Sequence, residues 1–198
     1  MLAKQVSKYQ NLSIVDMYNS IAMCDHAKHG YGYLGTNSFY WVYDAQPNAL
    51  SEVYRILVVY HKDYYSPSVY ILSDDISQLS KAPHLYDREK IRLCLYYPTG
   101  KEEWTKRDSL CNTIVAWTDL WLYYYEEWLY SGEWKGGGIH PPPKVEEVEE
   151  KKLSPLKRIR GNKNKRKNKN SKAVNYINRI YKKQKAKYIS DKISVSLT

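Results

Sequence analysis

Cys94 lies in the run Ile91-Arg92-Leu93-Cys94-Leu95-Tyr96, ten residues after His84 and ten before Trp104. A thiolate is a nucleophile, and a thioester formed on it carries an acyl group that an amine attacks directly. That chemistry needs a reachable sulfur, donors for the tetrahedral oxyanion and a means of deprotonating the amine. On its own, a cysteine between apolar residues in a strand-like run is usually inert core. The flanking parts therefore decide. Pro83-His84-Leu85-Tyr86 enters the run through a polar turn, Asp87 to Lys90, and Trp104 follows it.

The elements around this stretch read as follows. From Ser13, Ile14, Tyr18 and Ile21 recur at helical spacing, predicting a helix that ends near Cys24. Phe39 to Tyr43, Val53 to Tyr60 and Val69 to Leu72 are aromatic and β-branched runs separated by short turns, which predicts an antiparallel meander. Asp108 or Ser109 can cap a second helix. Its residues Leu110, Ile114, Trp117, Trp121, Tyr124 and Trp128 share one face and form a core stripe. Gly132, Gly136-Gly137-Gly138 and Pro141-Pro142-Pro143 end it.

Helix, antiparallel meander, cysteine segment and helix, in that order, resemble the ubiquitin-conjugating enzymes. In that family a His-Pro-Asn turn precedes an Ile/Leu-Cys-Leu run, a tryptophan and a helix. The resemblance covers roughly residues 10–140 and implies an α+β, UBC-like fold with a four-stranded sheet. It also implies acyl transfer through a thioester on Cys94, with His84 and Trp104 shaping the site. Here Leu85-Tyr86 stands where the family has Pro-Asn, which leaves Tyr86 as a substitute donor. Trp117-x-x-x-Trp121-Leu122-Tyr123-Tyr124-Tyr125-Glu126-x-Trp128-Leu129, followed by Gly132-Glu133-Trp134-Lys135-Gly136-Gly137-Gly138-Ile139-His140-Pro141, is similar to the conjugating-enzyme-like proteins of bacterial type II CBASS anti-phage operons. That implies a partner, the cyclic-oligonucleotide synthase (CD-NTase), whose C-terminus would be joined to an acceptor amine. An adenylation region and a Walker-type loop are both missing, as in the short form of these operons, and no cofactor is expected. His140 has two readings: a site residue brought back to Cys94 as base or loop anchor, or an ordinary surface histidine.

Charge divides the chain into residues 1–145, a conjugating domain, and 146–198, a linker and tail. Residues 151–198 hold 17 Lys/Arg against the single acid Asp191, while the preceding 150 residues hold 14 Lys/Arg against 20 Asp/Glu. Lys163 to Asn170 is low-complexity and is expected to be disordered. Ala173, Val174, Ile177, Ile180 and Tyr181 outline a short basic amphipathic helix. This tail could contact nucleic acid through phosphate charge. Three widely spaced cysteines with no signal segment read as free thiols in the cytoplasm. No apolar run is long enough to span a membrane. Cys24, His26 and His29 lack a second ligand pair of matching spacing, so no metal is expected. Two alternatives to the enzyme stand: a non-catalytic binding module of the same fold, and a nucleic-acid-binding protein driven by the basic tail.

Overall fold

Ser13 opens the first helix with a reciprocal cap. Its hydroxyl accepts the Asp16 N–H at 3.1 Å, and the Asp16 carboxylate accepts the Ser13 N–H at 3.1 Å. Helix α1 (Ile14–Ala22) then buries Met17 and Ile21. The computed structural model describes residues 10–96, 104–138 and 163–196. After α1 come β1 (Tyr31–Leu34), a strand around Gly32 where the glycines suggest turns, and then β2 (Ser38–Ala45), β3 (Tyr54–His61) and β4 (Ser68–Leu72), the three runs of the expected meander. Two short strands, β5 (Leu85–Asp87) and β6 (Arg92–Leu93), extend it. The sheet has six antiparallel strands in the order β1-β2-β3-β4-β6-β5, not four. The extra pair was hidden because strands of three and two residues leave no period to detect.

Both faces of the sheet are covered. Phe39, Trp41, Tyr43, Ile56, Val58, Tyr60, Val69 and Ile71 point to the α1 side and share a core with Leu110, Ile114, Trp121 and Tyr125. The alternate residues Val42, Leu57, Val59, Tyr70 and Leu72 pack against Ile177, Ile180 and Tyr181. Two-sided burial explains why β3 reads as an unbroken apolar run, Ile56 to Tyr60, rather than an alternating one.

The residues facing Val42 and Leu57 belong to α3 (Lys163–Ser196), a single 34-residue helix. Residues Lys163 to Asn170, expected to be disordered, form its first turns. Low complexity signals the lack of an apolar face, not of helix propensity. Lys and Arg are good helix formers, and once Ala173 to Tyr181 is docked, each added residue extends a helix already nucleated.

The second long helix also departs from its expected start. Asp108 does not cap it. Its carboxylate accepts from the N–H and hydroxyl of Thr105, at 2.6 and 2.8 Å. A π turn, Cys111–Val115, leads into α2 (Ala116–Ser131), and the Val115 N–H reaches back to Leu110 O at 2.9 Å. The wide turn shifts the register, so α2 buries Thr118, Trp121, Leu122 and Tyr125, with Tyr124 only half-buried. Gly132 ends the helix at φ 73°, with its N–H on Trp128 O at 2.8 Å.

Cys24 and Cys111 form a disulfide, with Cα atoms 5.4 Å apart, contrary to the expectation of free thiols. The end of α1 and the π turn meet in space although 87 residues separate the two sulfurs in sequence. No described helix is long and apolar enough to cross a membrane.

Candidate active site

Cys94 follows β6 directly and takes no part in the Cys24–Cys111 disulfide. Its N–H donates to the His84 carbonyl at 2.9 Å, and its thiol lies 3.8 Å from the Tyr96 carbonyl. The residue is 6% exposed, so the sulfur sits at the edge of the packed interior rather than on an open surface.

His84 organises the surroundings through its main chain. It adopts φ 54°, a left-handed conformation uncommon for a side chain other than Asn, Asp or His. In that conformation its carbonyl accepts two donors, Cys94 N–H and the Trp121 indole N–H at 3.1 Å. One oxygen thus ties the cysteine segment to α2. The buried imidazole lies 5.0 Å, centroid to centroid, from the Trp134 ring. Gly138, at φ 89°, passes so close that a Cβ there would stand 2.9 Å from the imidazole Cε1. Trp134 is held in turn by its indole N–H on Gly137 O at 3.2 Å. The Gly-rich run after α2 is therefore folded back over His84. His140, at its end, lies outside the described residues.

The other expected site residues take distinct places. The Tyr86 hydroxyl donates to Tyr96 O at 2.8 Å, the same carbonyl that the Cys94 thiol faces. Its single proton is committed there, so Tyr86 in this arrangement braces the cysteine segment. Trp104 is buried against Tyr60 of β3, ring centroids 5.8 Å apart. The structure thus brings His84, Tyr86 and Cys94 together and directs Trp104 into the core.

A family profile described as type II CBASS E2 protein (E2-CBASS) matches residues 20–141. The chain belongs to that family. The match runs from α1 to Pro141 and includes Cys94; α3 lies outside it. Among curated proteins, none matches this chain. As a type II CBASS E2 protein, it has an E2-like role alongside the other proteins of such a system.

Sequence reasoning missed three residues that brace or flank the candidate site. Trp121 was read as core alone, yet its indole nitrogen holds His84. Trp134 packs on the imidazole. Arg92 was read as one residue of a strand run, but it is buried, with Nη2 2.9 Å from the Tyr65 hydroxyl and its guanidinium 5.1 Å from the Tyr86 ring centroid. Burial opposes that charge, and the surrounding Tyr64, Tyr65 and Tyr70 hold the guanidinium above its ordinary pKa nevertheless. The available signal was a charged residue inside an otherwise apolar run, Ile91 to Leu95.

Proposed function

We propose that this E2-like protein is a transferase that carries an acyl group on Cys94. The donor is the C-terminus of a CD-NTase partner and the acceptor is a protein amine. The observation that carries this reading is the state of the three cysteines in a chain of this family. Two are joined to each other, and the third stays a thiol at the exit of β6, fixed by the His84 carbonyl.

In the first step the Cys94 thiolate attacks the donor's terminal carbonyl carbon, forming a C–S bond and expelling the group that activated the carboxyl. In the second step the amine attacks the same carbon. A C–N bond forms, the C–S bond breaks, the thiolate leaves and the amine gives up a proton. A thiolate does not displace oxide from a free carboxylate, so the donor must reach Cys94 already activated. The 6% exposure of Cys94 adds a second requirement, that the cover over the sulfur opens when the donor arrives.

The test is incubation with the partner synthase and an activating enzyme, followed by non-reducing gels. An adduct that hydroxylamine cleaves and Cys94→Ala abolishes supports a thioester. An adduct unchanged by Cys94→Ala overturns it. The burial of Cys94 and the absence of Pro-Asn after His84 favour a second reading, a binding module of the same fold that carries out no transfer. That reading requires stable association with the synthase and no hydroxylamine-sensitive adduct.

A further inference from the structure

Arg92 is 9% exposed, and no carboxylate of a described residue pairs with it. Its strand neighbour Asp87 is taken by Lys90, at 2.9 Å. Around the guanidinium stand the Tyr65 hydroxyl and the faces of Tyr64 and Tyr86, at 5.8 and 5.1 Å. A guanidinium has five N–H donors and a full charge, and these aromatic contacts offset only part of the cost of removing it from water. Replacing such a charge by an apolar side chain of similar volume is often neutral or stabilising. Packing alone therefore gives no reason for arginine here.

Arg92 also lines a cleft of about 10 Å³, together with Ser66, Pro67, Val69, Tyr86, Leu93, Leu95, Tyr96 and Ile114. That volume holds about one oxygen atom. Tyr86, Leu95 and Tyr96 are half-buried and form its rim. Leu95 and Tyr96 immediately follow Cys94, and Tyr96 O is the carbonyl that the thiol faces. The cleft thus has Arg92 among its lining residues and the cysteine segment at its edge.

We infer that Arg92 and this cleft form an anchor for a carboxylate of an incoming polypeptide, with one carboxylate oxygen in the cleft against the guanidinium and the other at the rim. A carboxylate supplies the negative charge that the site lacks, and a guanidinium is the side chain best matched to it. On the donor, whose terminal carboxyl arrives activated, the carboxylate is an Asp or Glu side chain; a free chain terminus in the cleft would belong to a polypeptide other than the activated donor. The inference rests on the thioester reading only for the occupant's being the donor, and the binding test below needs no chemistry at Cys94.

The full-length, isotope-labelled protein is titrated by NMR with three probes. N-acetylglycine carries a terminal carboxylate, N-acetylaspartate α-methylamide carries only a side-chain carboxylate, and N-acetylglycinamide carries none. The anchor predicts saturable shifts at Arg92 Nε–H and at the Leu93, Leu95 and Tyr96 amides with one or both acids, and none with the amide. Which acid binds more tightly identifies the source. Arg92→Met is expected to stay folded, with unchanged or higher Tm, and to lose at least tenfold in carboxylate affinity. Equal shifts with the neutral amide, or undiminished binding by Arg92→Met, overturn the inference. Should Arg92→Met not fold, Tyr65→Phe decides, because it removes the hydroxyl that orients Nη2. A several-fold loss of carboxylate binding in that variant supports the anchor, and unchanged binding refutes it.

Discussion

Cys94 is held by His84 through the main chain, its N–H donating 2.9 Å to the His84 carbonyl. What position 84 must supply is therefore a left-handed backbone that aims that oxygen, together with a ring that fills the space beneath Trp134. Asn tolerates positive φ and Val does not. His84→Asn should keep the cysteine segment in place at a small cost in stability. His84→Val should cost about 1–3 kcal/mol of strain and disorder the segment. Urea unfolding compares their stabilities, and the Cys94 amide chemical shift reports whether its hydrogen bond survives.

The Cys24–Cys111 bond closes a loop spanning 87 positions. In the chain-entropy account, a loop of that size restrains the unfolded state by about 4–5 kcal/mol. Cys24→Ala combined with Cys111→Ala should lower stability by up to that amount, and reductant should do the same to the parent chain. Cys94→Ala should do neither. Urea midpoints with and without reductant separate the three cases.

Asp119 gives a pH signature. Burial raises its pKa above the ordinary 3.8, and the hydrogen bond and charge of His26, 2.8 Å away, only partly offset this. The folded state therefore holds the proton more tightly than the unfolded state. Asp119's contribution is most favourable below pH 3.8 and is lost as pH rises through the raised pKa. Asp119→Asn should stabilise the protein at neutral pH, with the gain shrinking to nothing toward pH 3. A mutant minus parent difference that grows on acidification would contradict the assignment.

Helix α3 covers the centre of the sheet's second face. Ile177 is 4% exposed against the cluster of Val42, Leu57, Val59, Tyr70 and Leu72. Ile177→Ala should cost about 2–4 kcal/mol by transfer and cavity terms together. Ile177→Asp should detach the helix and expose an apolar sheet face that aggregates. Thermal melts and light scattering measure the two effects.

What the sequence made legible follows from periodicity. Strands β2 to β4 and α1 were readable because runs such as Val53 to Tyr60, and the helical spacing of Ile14, Tyr18 and Ile21, carry their own local signal. The docked face of α3 was readable for the same reason, from Ala173 to Tyr181. Three things were not. The disulfide depends on two segments meeting across the core, which no local pattern encodes. The π turn at Cys111–Val115 rotates the following helix, so Tyr125 takes the buried place that strict helical counting assigns to Tyr124. The site's bracing runs through main-chain carbonyls of His84 and Tyr96, and a main-chain oxygen leaves no mark on residue type.

The low exposure of Cys94 makes its reactivity the sharpest separator between transferase and binding module. A sulfur with so little surface is alkylated mainly through transient opening, so iodoacetamide should modify native protein roughly tenfold or more slowly than the urea-unfolded chain. The transferase reading adds that a bound donor must uncover the sulfur, because attack on a carbonyl requires van der Waals approach along an open line. Saturating CD-NTase should then change the Cys94 alkylation rate: faster where docking opens the cover, and blocked where the donor's C-terminus occupies the sulfur. The module reading requires no such coupling. With Cys24 and Cys111 held in their disulfide, alkylation under non-reducing conditions reports Cys94 alone. A rate indifferent to the synthase, under conditions where the two proteins demonstrably bind, would leave Cys94 as a core residue and the chain as a docking partner.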